Sequence, residues 1–147
     1  MVIEIKAFEQ LTIHELHDLL QLRSEVFVVE QDCVYQDIDG KDKKALHVYG
    51  KKNGRIVAYA RCFAPGIYFE EASIGRVVVP VNERKYGYGH VILDASMAAI
   101  EKEYNTKGIK VSAQTYLKKF YESHGFIQVG DEYLEDDIPH IAMTRLA

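Results

Sequence analysis

Apolar residues in the first third of the chain recur every three or four positions, as they do on one face of a helix. They are Ile13, Leu16, Leu19, Leu20, Leu22, Val26 and Phe27. Thr12 and Glu15 form the Thr-x-x-Glu pattern of a capping box. The pattern predicts a helix over Thr12–Val28. It also predicts an irregular surface loop over Glu30–Lys44, where the periodicity stops and Asp and Gly accumulate.

The middle of the chain is rich in β-branched and aromatic residues, which favour strands. Two such runs, Leu46–Gly50 and Arg55–Phe63, flank Asn53-Gly54, the dipeptide that best fits a two-residue hairpin turn. A third run, Ile74–Val79, ends at Pro80, which cannot donate a hydrogen bond to a sheet. These patterns predict an antiparallel hairpin followed by a third strand.

The last third of the chain alternates between helical and strand patterns. The predicted elements are a helix from Gly89 to Tyr104, a strand over Ile109–Gln114, a short helix over Tyr116–His124 closed by Gly125, and a terminal hairpin of Phe126–Val129 with His140–Leu146. Helices and strands interleaved in this order predict a mixed α/β (α+β) fold, with helices packed against a central mixed sheet.

Composition limits the class of protein. The chain has 147 residues, of which 48% are apolar and 27% charged, which is enough for one hydrophobic core. We therefore predict a single domain over residues 1–147. No apolar run approaches the ~20 residues that cross a bilayer. The first residues lack the basic-then-apolar layout of a signal peptide, so we expect a cytoplasmic protein with no membrane partner.

The charge balance argues against nucleic-acid binding. Eighteen Lys and Arg and 22 Asp and Glu give a net charge of −4, whereas nucleic-acid-binding domains are usually basic. Cys33 and Cys62 form no CxxC pair, so neither a metal site nor a disulfide is predicted. The acidic residues of the loop, Asp37, Asp39 and Asp42, lack the final Glu of a calcium loop. We interpret them as turn formers or as an attraction for a cationic amine.

Residues 74–90 combine a strand, a glycine-containing turn and the start of a helix. The first backbone N–H groups of a helix have no intrahelical partner, and the peptide dipoles add partial positive charge there. Gly87 and Gly89 allow an anion to approach these amides closely, and Arg84 and Lys85 add positive charge beside them. The segment therefore predicts a site for a pyrophosphate.

Two common phosphate-binding loops do not fit this segment. The P-loop string GxxxxGK[ST] does not occur in the chain. The dinucleotide pattern GxGxxG, counted from Gly87, places Ile92 where its third glycine belongs. Nucleotide hydrolysis and nicotinamide binding are therefore disfavoured.

What does match is the pattern Arg-x-x-Gly-x-Gly, at Arg84–Gly89, followed by Phe-Tyr-x-x-x-Gly-Phe at Phe120–Phe126. With these two motifs in this order, the chain resembles the GNAT family of acetyl-CoA-dependent N-acetyltransferases over nearly its full length. Leu22–Gln31, Tyr35–Gly40 and Ile138–Ile141 are similar to the ElaA subgroup, whose amine substrate is generally unassigned. The resemblance implies the GNAT acyl-CoA N-acyltransferase fold, a mostly antiparallel central sheet flanked by helices, with acetyl-CoA as cosubstrate and no metal.

The resemblance also implies how coenzyme A binds. Backbone amides of the glycine loop hold the pyrophosphate, and the backbone of Val77–Val79 pairs with the pantetheine arm and polarises the thioester carbonyl. Gln114 stands where the family commonly has an Asn, seven residues before Tyr121. The predicted cofactor-binding residues are Val77, Val78, Val79, Arg84, Lys85, Tyr86, Gly87, Tyr88, Gly89, His90, Gln114, Phe120 and Tyr121.

For catalysis, the resemblance implies that Tyr121 is the general acid that protonates the departing thiolate. The family often takes its general base from a Glu on or near the strand before the glycine loop, and that strand carries no Glu here. Glu30 and His140 rank first among the other candidates. Proton transfer through water to bulk solvent is the alternative.

The predicted function is acetyl transfer to a primary amine of a small molecule or a peptide. A non-catalytic acyl-CoA-sensing module is the first alternative, suggested by the missing Glu. A relative of the acyl-homoserine lactone synthases is a second, which the short chain disfavours. A homodimer is also expected, because sheet edges and terminal hairpins often pair in this family.

Overall fold

Seven strands form one mixed sheet, in the order β1-β2-β3-β4-β5-β7-β6, in the computed structural model, which describes residues 1–146. Strands β1 to β7 span Val2–Ala7, Leu46–Lys52, Arg55–Phe63, Ala72–Val78, Ile109–Gln114, Ile127–Glu135 and Ile138–Arg145. Helices α1, α2 and α3 span Ile13–Arg23, Tyr88–Tyr104 and Lys118–Glu122. One core lies between α2 and the sheet, and a smaller core lies beneath α1. This architecture confirms the predicted mixed, mostly antiparallel sheet flanked by helices.

Strands β4 and β5 form the one parallel pair among the described strands, and that pair is short. It consists of Ala72 opposite Ile109 and Ser73 opposite Lys110. Farther along β4, Arg76 has a φ of 51° and the pairing register with β3 shifts, so the strand bends. A wedge-shaped gap therefore opens between the second half of β4 and β5.

The helix predicted over Thr12–Val28 is α-helical only as far as Arg23. Its capping box is present, with the Glu15 N–H donating to Thr12 Oγ1 at 3.0 Å and the Thr12 N–H donating to Glu15 Oε1 at 2.9 Å. Residues 24–30 continue as a π-helix, a rare wider form often found at functional sites. The β-branched and aromatic run at 26–29 forms α-helix poorly, which fits this change of geometry.

Other predicted boundaries differ as well. No strand was predicted at Val2–Ala7, which pairs with β2 along the edge of the sheet. The third predicted strand, Ile74–Val79, is observed at Ala72–Val78. The short helix predicted over Tyr116–His124 consists of a 3₁₀ turn at Thr115–Leu117 followed by α3.

The terminal hairpin is longer than predicted. Strand β6 continues past Val129 to Glu135, because residues 130–132 form a bulge in the strand rather than the turn that their composition suggests. Gly130 takes a φ of 78° at this bulge. The hairpin turn is instead Asp136-Asp137, and both residues have positive φ, as a type I′ turn requires.

Buried ion pairs hold the loop before β2 against the sheet. The fully buried Arg23 donates to Asp37 Oδ2 at 2.9 Å and to Asp42 Oδ1 at 2.8 Å. Arg61 on β3 bridges Asp39 and Asp42, with contacts of 2.9 Å. The acidic residues of the loop are therefore paired inside the protein. The interpretation that they attract a cationic amine at the surface is wrong.

Candidate active site

The gap between β4 and β5 opens into a cleft of about 360 Å³, which we call the α2 cleft because the N-terminus of α2 lies at one end. Eleven of the residues predicted from the sequence line it. These are Glu30, Val77, Val78, Val79, Arg84, Gly87, Gly89, His90, Gln114, Phe120 and Tyr121. The structure thus brings the glycine loop, the end of β4 and the C-terminal motif together around one space.

The N-terminus of α2 has the properties of an anion site. Gly87 caps the helix with a φ of 73°, a left-handed conformation that favours glycine, and no side chain caps this end. A Cβ on Gly89 would make an ordinary van der Waals contact, at 3.5 Å, with the ring of Phe120. The first amide N–H groups of α2 therefore remain available to a ligand in the cleft.

Arg84 crosses the mouth of the cleft and forms a bidentate ion pair with Glu30. The distances are 2.8 Å from Nη1 to Oε2 and 2.9 Å from Nη2 to Oε1, and Arg84 Nε also donates to the Val79 carbonyl at 2.9 Å. Both side chains are about 40% exposed. Both oxygens of Glu30 are therefore engaged by the guanidinium at the mouth of the cleft.

Three residues of the predicted loop do not line the cleft: Lys85, Tyr86 and Tyr88. Lys52 on β2 lies over the rings of Tyr86 and Tyr88, at 4.2 Å and 5.7 Å from the centroids. Lys85 lies over the ring of Tyr86 at 5.2 Å. Their side chains therefore form a separate aromatic and basic surface. Only their backbone can contribute to the predicted cofactor site.

His90 lies at the first turn of α2 and belongs to a chain of polar contacts. Its Nδ1 is 2.8 Å from His124 Nε2, and His124 Nδ1 is 2.9 Å from Asp94 Oδ1. Its ring also packs against Phe120, with the centroids 4.7 Å apart. The carboxylate of Asp94 orients His124, and His124 in turn orients His90 beside the cleft.

A second pocket, of about 100 Å³, lies on the other side of the gap beside the terminal hairpin, and we call it the hairpin pocket. It shares part of its wall with the α2 cleft: Phe27, Gln31, Val77, Gln114, Leu117 and Tyr121. Gln114 Nε2 donates to Gln31 Oε1 at 3.2 Å across this shared wall. The two spaces are therefore neighbours, separated by a few side chains at the point where β4 and β5 diverge.

Tyr121 lies at this junction. Its side chain packs in the core under α2 and is only 5% exposed, yet it lines both the α2 cleft and the hairpin pocket. Burial, together with the nearby Tyr116, raises the pKa of the Tyr121 phenol above its ordinary value. The phenol therefore remains protonated at neutral pH and is able to donate a hydrogen bond.

His140 lies in the hairpin pocket rather than in the α2 cleft. Its Nδ1 is 2.7 Å from the Ile138 carbonyl, and because a carbonyl only accepts, Nδ1 carries the proton. The other ring nitrogen, Nε2, lies 3.3 Å from Glu135 Oε2. Glu135 therefore places a carboxylate beside the imidazole in the hairpin pocket.

Glu135 is held by a second set of contacts that the sequence analysis missed. Ser112 on β5 donates to Glu135 Oε1 at 3.2 Å and also contacts the Tyr133 hydroxyl. The ring of Tyr133 stacks on that of His140, with the centroids 6.2 Å apart. These contacts were missed because the strand was predicted to end at Val129. The observed β6 continues through a bulge, which brings residues 133–135 beside His140.

No group of three or more His, Cys, Asp or Glu side chains is arranged to hold a metal ion in residues 1–146. None of the helices that the structure describes is long and apolar enough to span a membrane.

The chain is similar to known proteins over most of its length. A family profile described as "Acetyltransferase (GNAT) domain" matches residues 10–147. The chain is 42% identical to Protein ElaA of Escherichia coli over 138 residues, which cover 92% of this chain and 90% of that protein. An acyl-CoA N-acyltransferase from Pseudomonas aeruginosa matches with a TM-score of 0.93 and 40% identity, over 98% of each chain. The crystal structure of E. coli ElaA matches with a TM-score of 0.91 and 39% identity, also over 98% of each chain.

Proposed function

Because the chain belongs to the GNAT family of acetyltransferases, we propose that it transfers an acetyl group from acetyl-CoA to a primary amine of a small molecule or a peptide. The observation that carries the proposal is that the α2 cleft and the hairpin pocket meet at Tyr121, Val77 and Gln114. A thioester bound in the cleft would present its carbonyl at this junction, and an amine in the hairpin pocket would approach it from the other side.

In this proposal the donor is held mainly by backbone. The pyrophosphate of coenzyme A binds at the N-terminus of α2, where Gly87 and Gly89 leave the amides accessible, and Arg84 contributes positive charge. The pantetheine arm lies along Val77–Val79, because β5 has moved away and left that edge of β4 unpaired. A β4 amide donates to the thioester carbonyl and stabilises the oxyanion as it forms.

The chemistry needs one base and one acid. The neutral amine nitrogen attacks the carbonyl carbon, and the new C–N bond forms as the C–S bond breaks. His140 Nε2 accepts the proton that the amine loses, with Glu135 stabilising the imidazolium. Tyr121 donates its phenolic proton to the departing sulfur, and the two residues then exchange protons with solvent.

This assignment prefers His140 to Glu30, because Glu30 is engaged by Arg84. A non-catalytic acyl-CoA sensor, suggested by the lack of a Glu on the strand, stays the alternative, and it predicts acetyl-CoA binding without turnover. The cytoplasmic location, the homodimer, the single domain and the absence of nucleic-acid and membrane partners remain predictions.

The test has a binding step and a turnover step. Calorimetry with acetyl-CoA is expected to show one site per chain for the wild type. Thiol release with a panel of primary amines is then measured for the wild type and for Tyr121→Phe, which keeps the ring but removes the acid. We expect the variant to bind acetyl-CoA as the wild type does and to turn over about 10²-fold more slowly. Absence of acetyl-CoA binding by the wild type would refute the proposal.

A further inference from the structure

A smaller cavity of about 50 Å³, which we call the aromatic pocket, lies next to the hairpin pocket. The two share Gly75, Arg76, Ser112 and Glu135 as a common wall. One water needs only about 10–15 Å³ of such space, so the aromatic pocket has room for a group of a few heavy atoms. An acceptor amine bound beside His140 therefore has a second compartment into which its other end can extend.

Two buried hydrogen-bond donors without partners line the aromatic pocket. They are Ser73 Oγ and Arg61 Nε, in side chains that are each 98% buried, and neither makes a hydrogen bond within residues 1–146. The pairing of Ser73 with Phe63 and of Gly75 with Arg61 places both donors on the same face of the sheet. Buried donors that lack partners are rare in folded proteins, and a ligand that accepts hydrogen bonds accounts for both.

Charged side chains surround the aromatic pocket, and two of them, Arg76 and Glu135, also line the hairpin pocket. The aromatic pocket has Arg61 and Arg76 in its wall, and Lys41 and Lys110 lie over its rings Tyr68 and Phe69, at 5.3 Å and 4.8 Å. Arg61 is paired with Asp39 and Asp42, and Arg76 is paired with Asp37, so Lys41 and Lys110 are the cations here that no carboxylate pairs with in residues 1–146. His140 lines only the hairpin pocket of the two, and it lies beside Glu135.

The remaining wall is flat and apolar. Phe63 and Tyr68 are stacked with centroids 5.4 Å apart, and Phe69 meets Tyr68 edge-on at 4.8 Å. Such a surface suits the methylene chain or the planar end of a small ligand. Two unpaired donors and two lysines at the far end, with His140 and Glu135 at the near end, indicate a ligand that is an amine at one end and carries acceptor oxygens at the other.

We propose that the acceptor is an amino carboxylate, whose amine lies at His140 and whose carboxylate binds Ser73 and Arg61 in the aromatic pocket. This inference rests on the proposed function and names its substrate class. Residues 73 to 77 of β4 span roughly 13 Å at about 3.3 Å per residue, and the bend in the strand shortens that distance. An ω-amino carboxylate of about six carbons fits this span, so 6-aminohexanoate is the probe.

The experiment compares 6-aminohexanoate with n-hexylamine, which has the same chain length and no carboxylate. We expect kcat/KM for 6-aminohexanoate to exceed that for n-hexylamine by at least ten-fold in the wild type. In Ser73→Ala and in Ser73→Val, which also fills space, that ratio is expected to fall to near one. Ser96→Ala is the matched control, because Ser96 is buried on α2 away from the aromatic pocket, and its ratio should equal that of the wild type.

A binding measurement separates this inference from the proposed function. Titration of 6-aminohexanoate into the coenzyme A complex, or into the free protein if coenzyme A does not bind, should give an affinity at least ten-fold above that of n-hexylamine. Ser73→Val should abolish the difference. Equal binding and equal kcat/KM for the two amines in the wild type would overturn the inference and leave an ordered water as the occupant, while acetyl-CoA binding would still support the proposed function.

Discussion

The α2 cleft and the hairpin pocket lie side by side but are built in different ways. The cleft depends on backbone, since its anion site is the start of α2 and its wall is the free edge of β4, both within residues 77–90. The hairpin pocket depends on side chains from distant parts of the chain, such as Cys33, Arg76, Ser112 and His140. A backbone site shows in the sequence as a short glycine motif, whereas a side-chain site appears only after the strands have paired. The cofactor is therefore easier to infer than the acceptor.

The largest expected effect concerns the ion pairs that hold the loop at the hairpin side. Arg23→Ala leaves Asp37 and Asp42 buried with fewer cationic partners, and breaking a buried pair in this way costs about 3–5 kcal/mol. We expect the free energy of unfolding in urea to fall by that amount. Arg84→Ala, which breaks the exposed pair with Glu30, is the matched control and should cost less than about 1 kcal/mol. Equal losses for the two variants would show that the loop is not held by these ion pairs.

Replacing His140 tests the hairpin pocket, the site that is built from side chains. His140→Gln removes the group that accepts the proton, so kcat should fall by about 10²-fold. Acetyl-CoA affinity should not change, because His140 does not line the α2 cleft. A dissociation constant that rises as much as kcat falls would mean that the two sites are not separate.

Acid should weaken the loop that these ion pairs hold. Burial raises the pKa of Asp39, but hydrogen bonds from Arg61 and from the Lys41 amide outweigh that effect and lower it to about 2. A carboxylate whose pKa falls on folding stabilises the protein above its unfolded pKa, which is near 4. That contribution, ~2 kcal/mol, is lost as the pH falls from about 4 towards 2. Urea unfolding across this range should show the loss, and Asp39→Asn should show a smaller one.

Replacing Gly87 tests the α2 cleft, the site that is built from backbone. Gly87→Ala places a Cβ at a φ of 73°, which costs roughly 1–2 kcal/mol, although no neighbouring atom would clash. We expect the turn to relax, the amides to move apart and the dissociation constant for acetyl-CoA to rise about ten-fold. Gly40→Ala is the matched control, because Gly40 has a φ of 81° and equally open surroundings but lies outside the cleft. It should lower stability and leave acetyl-CoA affinity unchanged.

The difference between a site built from backbone and a site built from side chains also explains which features could be predicted from the sequence. Local signals located the capping box at Thr12, the Asn53-Gly54 turn and the glycine loop, because each depends on neighbouring residues. Glu135 and Ser112 were missed because their position depends on the register of β5 against β7, in which Gln114 lies opposite His140. The ion pairs of Arg23 were missed for a related reason, since Asp37 and Asp42 lie 14 and 19 residues away along the chain.

The smallest expected effect concerns the contact that links the two halves, the ion pair of Arg84 with Glu30. Glu30 contacts both terminal nitrogens of Arg84, whose guanidinium we expect to bind the pyrophosphate. Glu30→Gln removes this competing charge, and an exposed pair of this kind is worth about 0.2–1 kcal/mol. We therefore expect acetyl-CoA to bind about two- to five-fold more tightly, and Glu25→Gln on the same π-helix to bind it as the wild type does. Weaker binding by Glu30→Gln would show instead that Glu30 holds Arg84 in position, and that the cleft too relies on side chains for its charge.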